Sequence, residues 1–208
     1  MSLTGGAHPN PAAGGVFLSW HAPSGTPGAT DSLWTECGDS ERVDTLYVSV
    51  VTPDDLPNVT SMAATISFRA EPPDTLGPFW QFKRGRANER NMFIEFGPGG
   101  FACAQPWRVK GTGAVRYDLV DAGRLEVEYT IPAEHSIPLT PDAQNCVARI
   151  LIIEQRHYLG GCTQPVQVSA ETVRFEFIDG ETLEFGSKSS NTVFWNRRSA
   201  PSPASESG

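Results

Sequence analysis

The chain has 208 residues, 39% of them hydrophobic, with 20 glycines, 17 prolines and a formal net charge of −8. That acidic balance argues against a nucleic-acid surface, because phosphate binding needs clustered Lys and Arg to release counterions. No apolar run approaches the ~20 residues that cross a bilayer as a helix, which leaves no integral membrane segment of that kind.

Residues 1–15 are mostly Gly, Pro, Ala and Asn, too poor in large apolar groups to fold alone, and are predicted to be a flexible leader. Hung on it is the β-prone stretch Val16-Phe17-Leu18-Ser19-Trp20. Val16, Phe17, Leu18 and Trp20 are therefore candidates for an arm that docks on a neighbouring subunit. Residues 1–8 show neither a charged n-region nor an apolar h-region, so export would need a signal already removed or another route.

A Gly/Ser/Thr/Pro loop over 21–32 leads into Leu33-Trp34-Thr35-Glu36-Cys37, and residues 46–51 form a strand stopped by Thr52-Pro53-Asp54-Asp55. The adjacent aspartates lack the ligand spacing of a calcium loop and are accounted for by a turn. Over 60–69 the apolar residues Met62, Ala64, Ile66 and Phe68 alternate with small and polar ones, the pattern of a half-buried antiparallel strand. The aromatic stretch Phe79-Trp80-Gln81-Phe82-Lys83 follows, opening the chain's only basic knot, Lys83-Arg84-Gly85-Arg86, which is a solvated loop.

Residues 92–96 are a further strand, closed by Gly97-Pro98-Gly99-Gly100. Residues 114–120 and 125–129 read as a hairpin turned through Asp121-Ala122-Gly123, with Gly123 able to supply a positive φ. Glu126 and Glu128 share one face of the returning strand. A paired carboxylate is the equipment of a glycosidase, but Leu125, Val127 and Tyr129 point the other way, so the Glu face is the wet one.

After a Pro-containing connection over 131–141, Val147-Ala-Arg-Ile-Leu-Ile-Ile153 is nearly continuously apolar and suits a central strand. Gly160-Gly161 breaks the chain, Cys162 offers a covalent anchor, and Pro165 restarts an extended run. Val173-Arg-Phe-Glu-Phe177 alternates, Asp179-Gly180 signals a tight turn, and 183–185 and 191–196 are the last strands. Residues 199–208, rich in Ser, Pro and Ala, make a disordered tail. With no sustained helical period, the predicted fold is all-β: a single domain over 16–198 built as an antiparallel two-sheet β-sandwich, jelly-roll-like, of about ten strands.

Four cysteines, Cys37, Cys103, Cys146 and Cys162, include no Cys-x-x-Cys pair, which argues against structural zinc and for two disulfides in an oxidising compartment. A straight strand after Cys146 carries the chain about 25 Å away, so pairing across distant parts of the chain is preferred to Cys146 with Cys162.

Catalytic equipment is sparse. His8 and His21 lie in flexible stretches, His135 and His157 have no triad context, and there is no Gly-x-Ser-x-Gly elbow, phosphate loop or His-Glu-x-x-His. No cofactor or metal is expected. The five tryptophans lie mostly near loops or strand ends, where exposed indoles stack on sugar rings and buried ones fill a core. Trp80, Gln81, Trp107 and Trp195 are the candidate ligand-binding residues, with Asn88 and Asn91 as polar partners.

In order along the chain, Trp80-Gln81-Phe82-Lys83, Pro106-Trp107, Gly160-Gly161-Cys162-Thr163-Gln164-Pro165-Val166 and Ser190-Asn191-Thr192-Val193-Phe194-Trp195-Asn196 resemble a group of uncharacterised, mostly secreted bacterial all-β proteins. The resemblance covers roughly residues 16–196 and implies an extracellular, disulfide-bearing β-domain, without implying an activity. The sequence thus points to a non-enzymatic extracellular or cell-surface protein acting by self-assembly or adhesion, its partners further copies of itself as homo-oligomer or filament. The alternative is a carbohydrate-binding module that takes polysaccharide on exposed tryptophans.

Overall fold

A computed structural model describes residues 14–36, 42–71, 75–86, 88–96, 103–104, 106–107, 110–120, 122–141, 143–154, 160–186 and 191–197. Residues 1–13 of the expected leader over 1–15, the tail over 199–208, Cys37 and His157 lie outside them. Among the described residues twelve strands form: β1 (Gly15–Trp20), β2 (Ser32–Leu33), β3 (Val43–Val51), β4 (Leu56–Ala70), β5 (Met92–Glu95), β6 (Thr112–Val120), β7 (Ala122–Thr130), β8 (Ile137–Leu139), β9 (Asn145–Ile153), β10 (Val166–Phe177), β11 (Thr182–Gly186) and β12 (Thr192–Trp195).

They make the two-sheet, jelly-roll-like sandwich expected from the sequence. The smaller sheet runs β1-β3-β9-β5, and the larger runs β2-β12-β10-β4-β7-β6, with β11 added to β10 and β8 to β4. Pairing is antiparallel except between β2 and β12. The apolar run of residues 147–153 does lie inside its sheet, between β3 and β5.

Period-2 alternation decides which face each strand buries. Leu46, Val48 and Val50 of β3 and Ile150 and Ile152 of β9 meet Met62, Ile66 and Phe68 of β4 in the core, all of them buried. Each such side chain contributes roughly 1.5–3 kcal/mol when fully removed from water. β4 is the spine of the larger sheet, held by β10 along one side and β7 along the other.

Tryptophans close both ends of this core. Trp107 lies by Tyr129 and Phe175, whose strand positions pair with Met62. At the other end of β10, Trp195 pairs with Val166 and packs edge-on against Trp80, their ring centroids 5.2 Å apart.

The arm expected from Val16, Phe17, Leu18 and Trp20 is corrected by the structure. These residues are β1, paired antiparallel with β3 of the same chain from Gly15↔Val51 to Trp20↔Leu46. All four are buried, and Val16, Leu18 and Trp20 belong to the shared core. The stretch is β-prone because it completes its own sheet.

Phe79 and Trp80 lie in a single 3-10 turn, Pro78–Trp80. One local expectation changes. Gly123 does not take a positive φ; the β6–β7 pairing already reaches Val120↔Ala122, so Gly123 is within the strand. A Cβ there would meet Leu76 Cδ1 at 3.0 Å and the Tyr117 ring.

Cys103 is bonded to Cys146, a pairing across 43 residues, and Cys162 is also disulfide-bonded.

Candidate functional site

The open face of the larger sheet is set by the same alternation that builds the core. With Met62, Ala64, Ile66 and Phe68 turned inward, β4 presents Ser61, Ala63, Thr65 and Ser67 outward along its middle, followed by Arg69 near its end. Its neighbours present long charged chains. One row across the sheet reads Ala114, Glu128, Ala63, Arg174, Glu184, and the next Arg116, Glu126, Thr65, Thr172, Gly186. The result is a shallow groove of about 430 Å3, floored by small residues and walled by charges.

Part of that charge is satisfied in place. Arg124 Nε lies 3.2 Å from Glu126 Oε1, and Arg116 Nε 2.6 Å from Asp118 Oδ2. Hydrogen bonds from Lys83 and Arg116 hold the Asp118 carboxyl below the usual carboxylate range. Glu128 and Arg174, on opposite walls of one row, are exposed and make no ion pair among the described residues.

A second depression, a cleft of about 750 Å3, lies beside β2 at the edge of the larger sheet. Leu33 is turned inward and buried, so the next residue, Trp34, is turned out, and its surface is 53% exposed. The backbone on either side is fixed. Asn196 donates its N–H to Leu33 O at 2.7 Å and accepts the Thr35 N–H on Oδ1 at 2.7 Å, while its Nδ2 donates to Cys162 O at 3.0 Å. Asn196 holds φ at 51°, a left-handed conformation that Asn tolerates better than most residues. Arg197 completes the rim, its guanidinium 4.1 Å above the Phe194 ring and 3.4 Å from Glu71 Oε2.

Beneath Thr35 lies a buried acidic pair. Asp44 and Glu154 are on the core-facing phases of their strands, in line with Leu46 and Ile152, yet both are carboxylic acids and both are buried. Arg42 Nε donates to Asp44 Oδ1 at 3.0 Å and lies 3.8 Å from Glu154 Oε1. Burial, and then the neighbouring Asp44 carboxyl, push the Glu154 carboxyl up to about 7, against the opposing effects of Thr35 and Arg42. Glu154 is therefore protonated at mildly acid pH, and among the described residues neither of its buried oxygens has a hydrogen-bond partner.

The ligand residues expected from the sequence are not brought together on a surface. Trp80 and Trp195 are fully buried, and their indole N–H groups donate to Gly161 O at 3.1 Å and Cys162 O at 2.6 Å. Trp107 is buried against Tyr129 and Phe175. Gln81 is half-buried beside them, Asn88 donates to Phe79 O at 2.7 Å, and Asn91 donates to Asn88. Sugar stacking on Trp80, Trp107 or Trp195 is thereby corrected: their rings have no free face. The exposed tryptophan is Trp34, and the signal for it was the inward phase of Leu33 immediately before it.

His135 is exposed in the short turn Ala133–His135, and among the described residues no group of three or more His, Cys, Asp and Glu could hold a metal. Among the described residues no helix is long and apolar enough to cross a membrane.

No family model matches the chain, and no curated protein matches it. Among solved structures it is similar to a cohesin module from a Clostridium perfringens family 33 glycoside hydrolase, at 8% identity and a TM-score of 0.40 over 88% of this chain and 97% of that one. It is similar to a type II cohesin domain from the cellulosome of Acetivibrio cellulolyticus, at 5% identity and 0.43 over 88% and 95%. It is also similar to the DNA-binding domain of C. elegans Cep-1, at 8% identity and 0.31 over 85% and 83%. At these identities and scores no neighbour's partner or activity transfers to this chain.

Proposed function

We propose that the protein is a non-enzymatic, extracellular β-sandwich that acts by adhesion, and that the adhesion is self-assembly through the open face of the larger sheet. The observation that carries the reading is the row Glu128, Ala63, Arg174. A two-fold axis lying along β4, between two sheets packed face to face, exchanges the β7 side of one copy with the β10 side of the other. It sets Glu128 of each copy opposite Arg174 of its mate, an isologous contact made twice. The small floor of Ser61, Ala63, Thr65 and Ser67 leaves room for these long chains to fold inward and meet away from bulk water. Opposed charges so placed fix register and orientation.

Sedimentation over a concentration series tests this. The wild type is expected to associate, R174E and E128R each to weaken association at least ~10-fold, and the double reversal E128R/R174E to restore it. A wild type that stays monomeric throughout, or a double reversal that stays as weak as the singles, overturns the reading.

A further inference from the structure

The cleft beside β2 is a second site, independent of the open sheet face. We infer that it is a saccharide-binding site in which Trp34 is the stacking platform and Thr163, Glu36, Glu71 and Arg197 provide the polar rim.

The argument begins with the cost of the indole's position. Trp34 leaves half its surface in water while Trp20, Trp80, Trp107 and Trp195 are buried. It is not on a loose loop. Leu33 anchors the preceding position in the core, and Thr35 is tied to Asn196, itself fixed to Cys162 O. A flat aromatic face held this way loses little conformational freedom on binding.

The lining decides the ligand class. Apart from Trp34 and Pro165 the cleft walls are polar or charged, so an apolar peptide anchor would strand their hydrogen-bonding groups without partners. An anion is disfavoured, since Arg197 already faces Glu71 at 3.4 Å and Glu36 adds a further negative charge. A pyranose fits both requirements: its C–H face is apolar and lies on the indole, while its hydroxyls donate to carboxylates and accept from Thr and Arg. The Glu71–Arg197 pair offers an acceptor and a donor side by side, the arrangement that holds two neighbouring hydroxyls. The opening at a sheet edge suits a chain passing through rather than a monosaccharide enclosed.

Iodide quenching of tryptophan fluorescence reports on Trp34, because the other four indoles are shielded. The probes are the soluble β-1,4-linked hexasaccharides of glucose, xylose and N-acetylglucosamine, each titrated to about 10 mM so that a dissociation constant of ~1 mM is covered. At least one is expected to shield Trp34 from iodide, with calorimetry giving the same affinity. W34A is expected to abolish the calorimetric signal, and R197A to weaken it at least ~5-fold, that being about 1 kcal/mol. R174E, on the other face, is expected to bind the saccharide as the wild type does, so failure of the assembly reading leaves this one standing and the reverse. No shielding and no heat with any of the three probes overturns the inference, as does W34A that is folded by circular dichroism and still binds.

Discussion

Glu154 shows at the scale of one residue how a strand phase overrides a side chain's preference. Position 154 continues the inward phase of Ile150 and Ile152, so the backbone delivers a carboxyl group to the core edge, beside Asp44 and near Arg42. Its folded value of about 7 stands above the ordinary 4.5. Between those values the folded chain holds a proton that the unfolded chain has released. The contribution of this group to stability is therefore fully present below the unfolded value and is lost as pH rises through 7. In E154Q the side chain stays neutral at every pH. The urea midpoint of the wild type is expected to drop between pH 5 and pH 8, and that of E154Q to stay nearly level. Parallel curves for the two proteins would show that Glu154 is ionised throughout.

At the scale of elements, the strands with clean alternation were legible in the sequence, and the tryptophans were not. Residues 60–69 show their inward and outward faces directly, and β4, with its small outer floor, follows from them. Trp80 and Trp107 stand in turns, where no period exists to say which way an indole points. Their burial depends on distant segments. Trp80 is capped by Gly161 O from the turn before β10, which no local pattern announces. β8 was missed because three residues with a central proline pair only at the end of β4. The Gly160-Gly161 break was visible, but its use is tertiary: Gly161 has φ of 105°, and its Cα lies where a Cβ on Gly77 would come within 2.7 Å. G161A adds a left-handed penalty to a backbone clash and is expected to cost at least ~1 kcal/mol. Chemical denaturation measures it, and a red shift of the buried Trp80 and Trp195 emission in folded G161A would report the same loosening. G160A, at a position with open space around it, is expected to be nearly neutral.

For the molecule as a whole, the question is what holds the connection between β5 and β6 as it passes from the smaller sheet to the larger. That connection includes Cys103, Ala104 and Trp107, and it is fastened to the start of β9 three times. Cys103 is bonded to Cys146, Ala104 N–H donates to Gln144 O at 3.0 Å, and Cys146 N–H donates to Ala104 O at 2.9 Å. Close to this fastening along the chain, Trp107 lies over Phe175, so the cross-link and the plug stand in the same connection. Closing a loop of 43 residues in the unfolded chain is worth ~4 kcal/mol on the chain-entropy account, and measured values run lower. C103A/C146A is expected to lose about 2–4 kcal/mol by urea denaturation. If the disulfide also positions the plug, W107A, which alone should cost ~3–5 kcal/mol, will cost less in the C103A/C146A background than in the wild type. Strictly additive losses would mean that the hydrogen bonds of Ala104 position Trp107 by themselves and that the disulfide acts only on the unfolded chain.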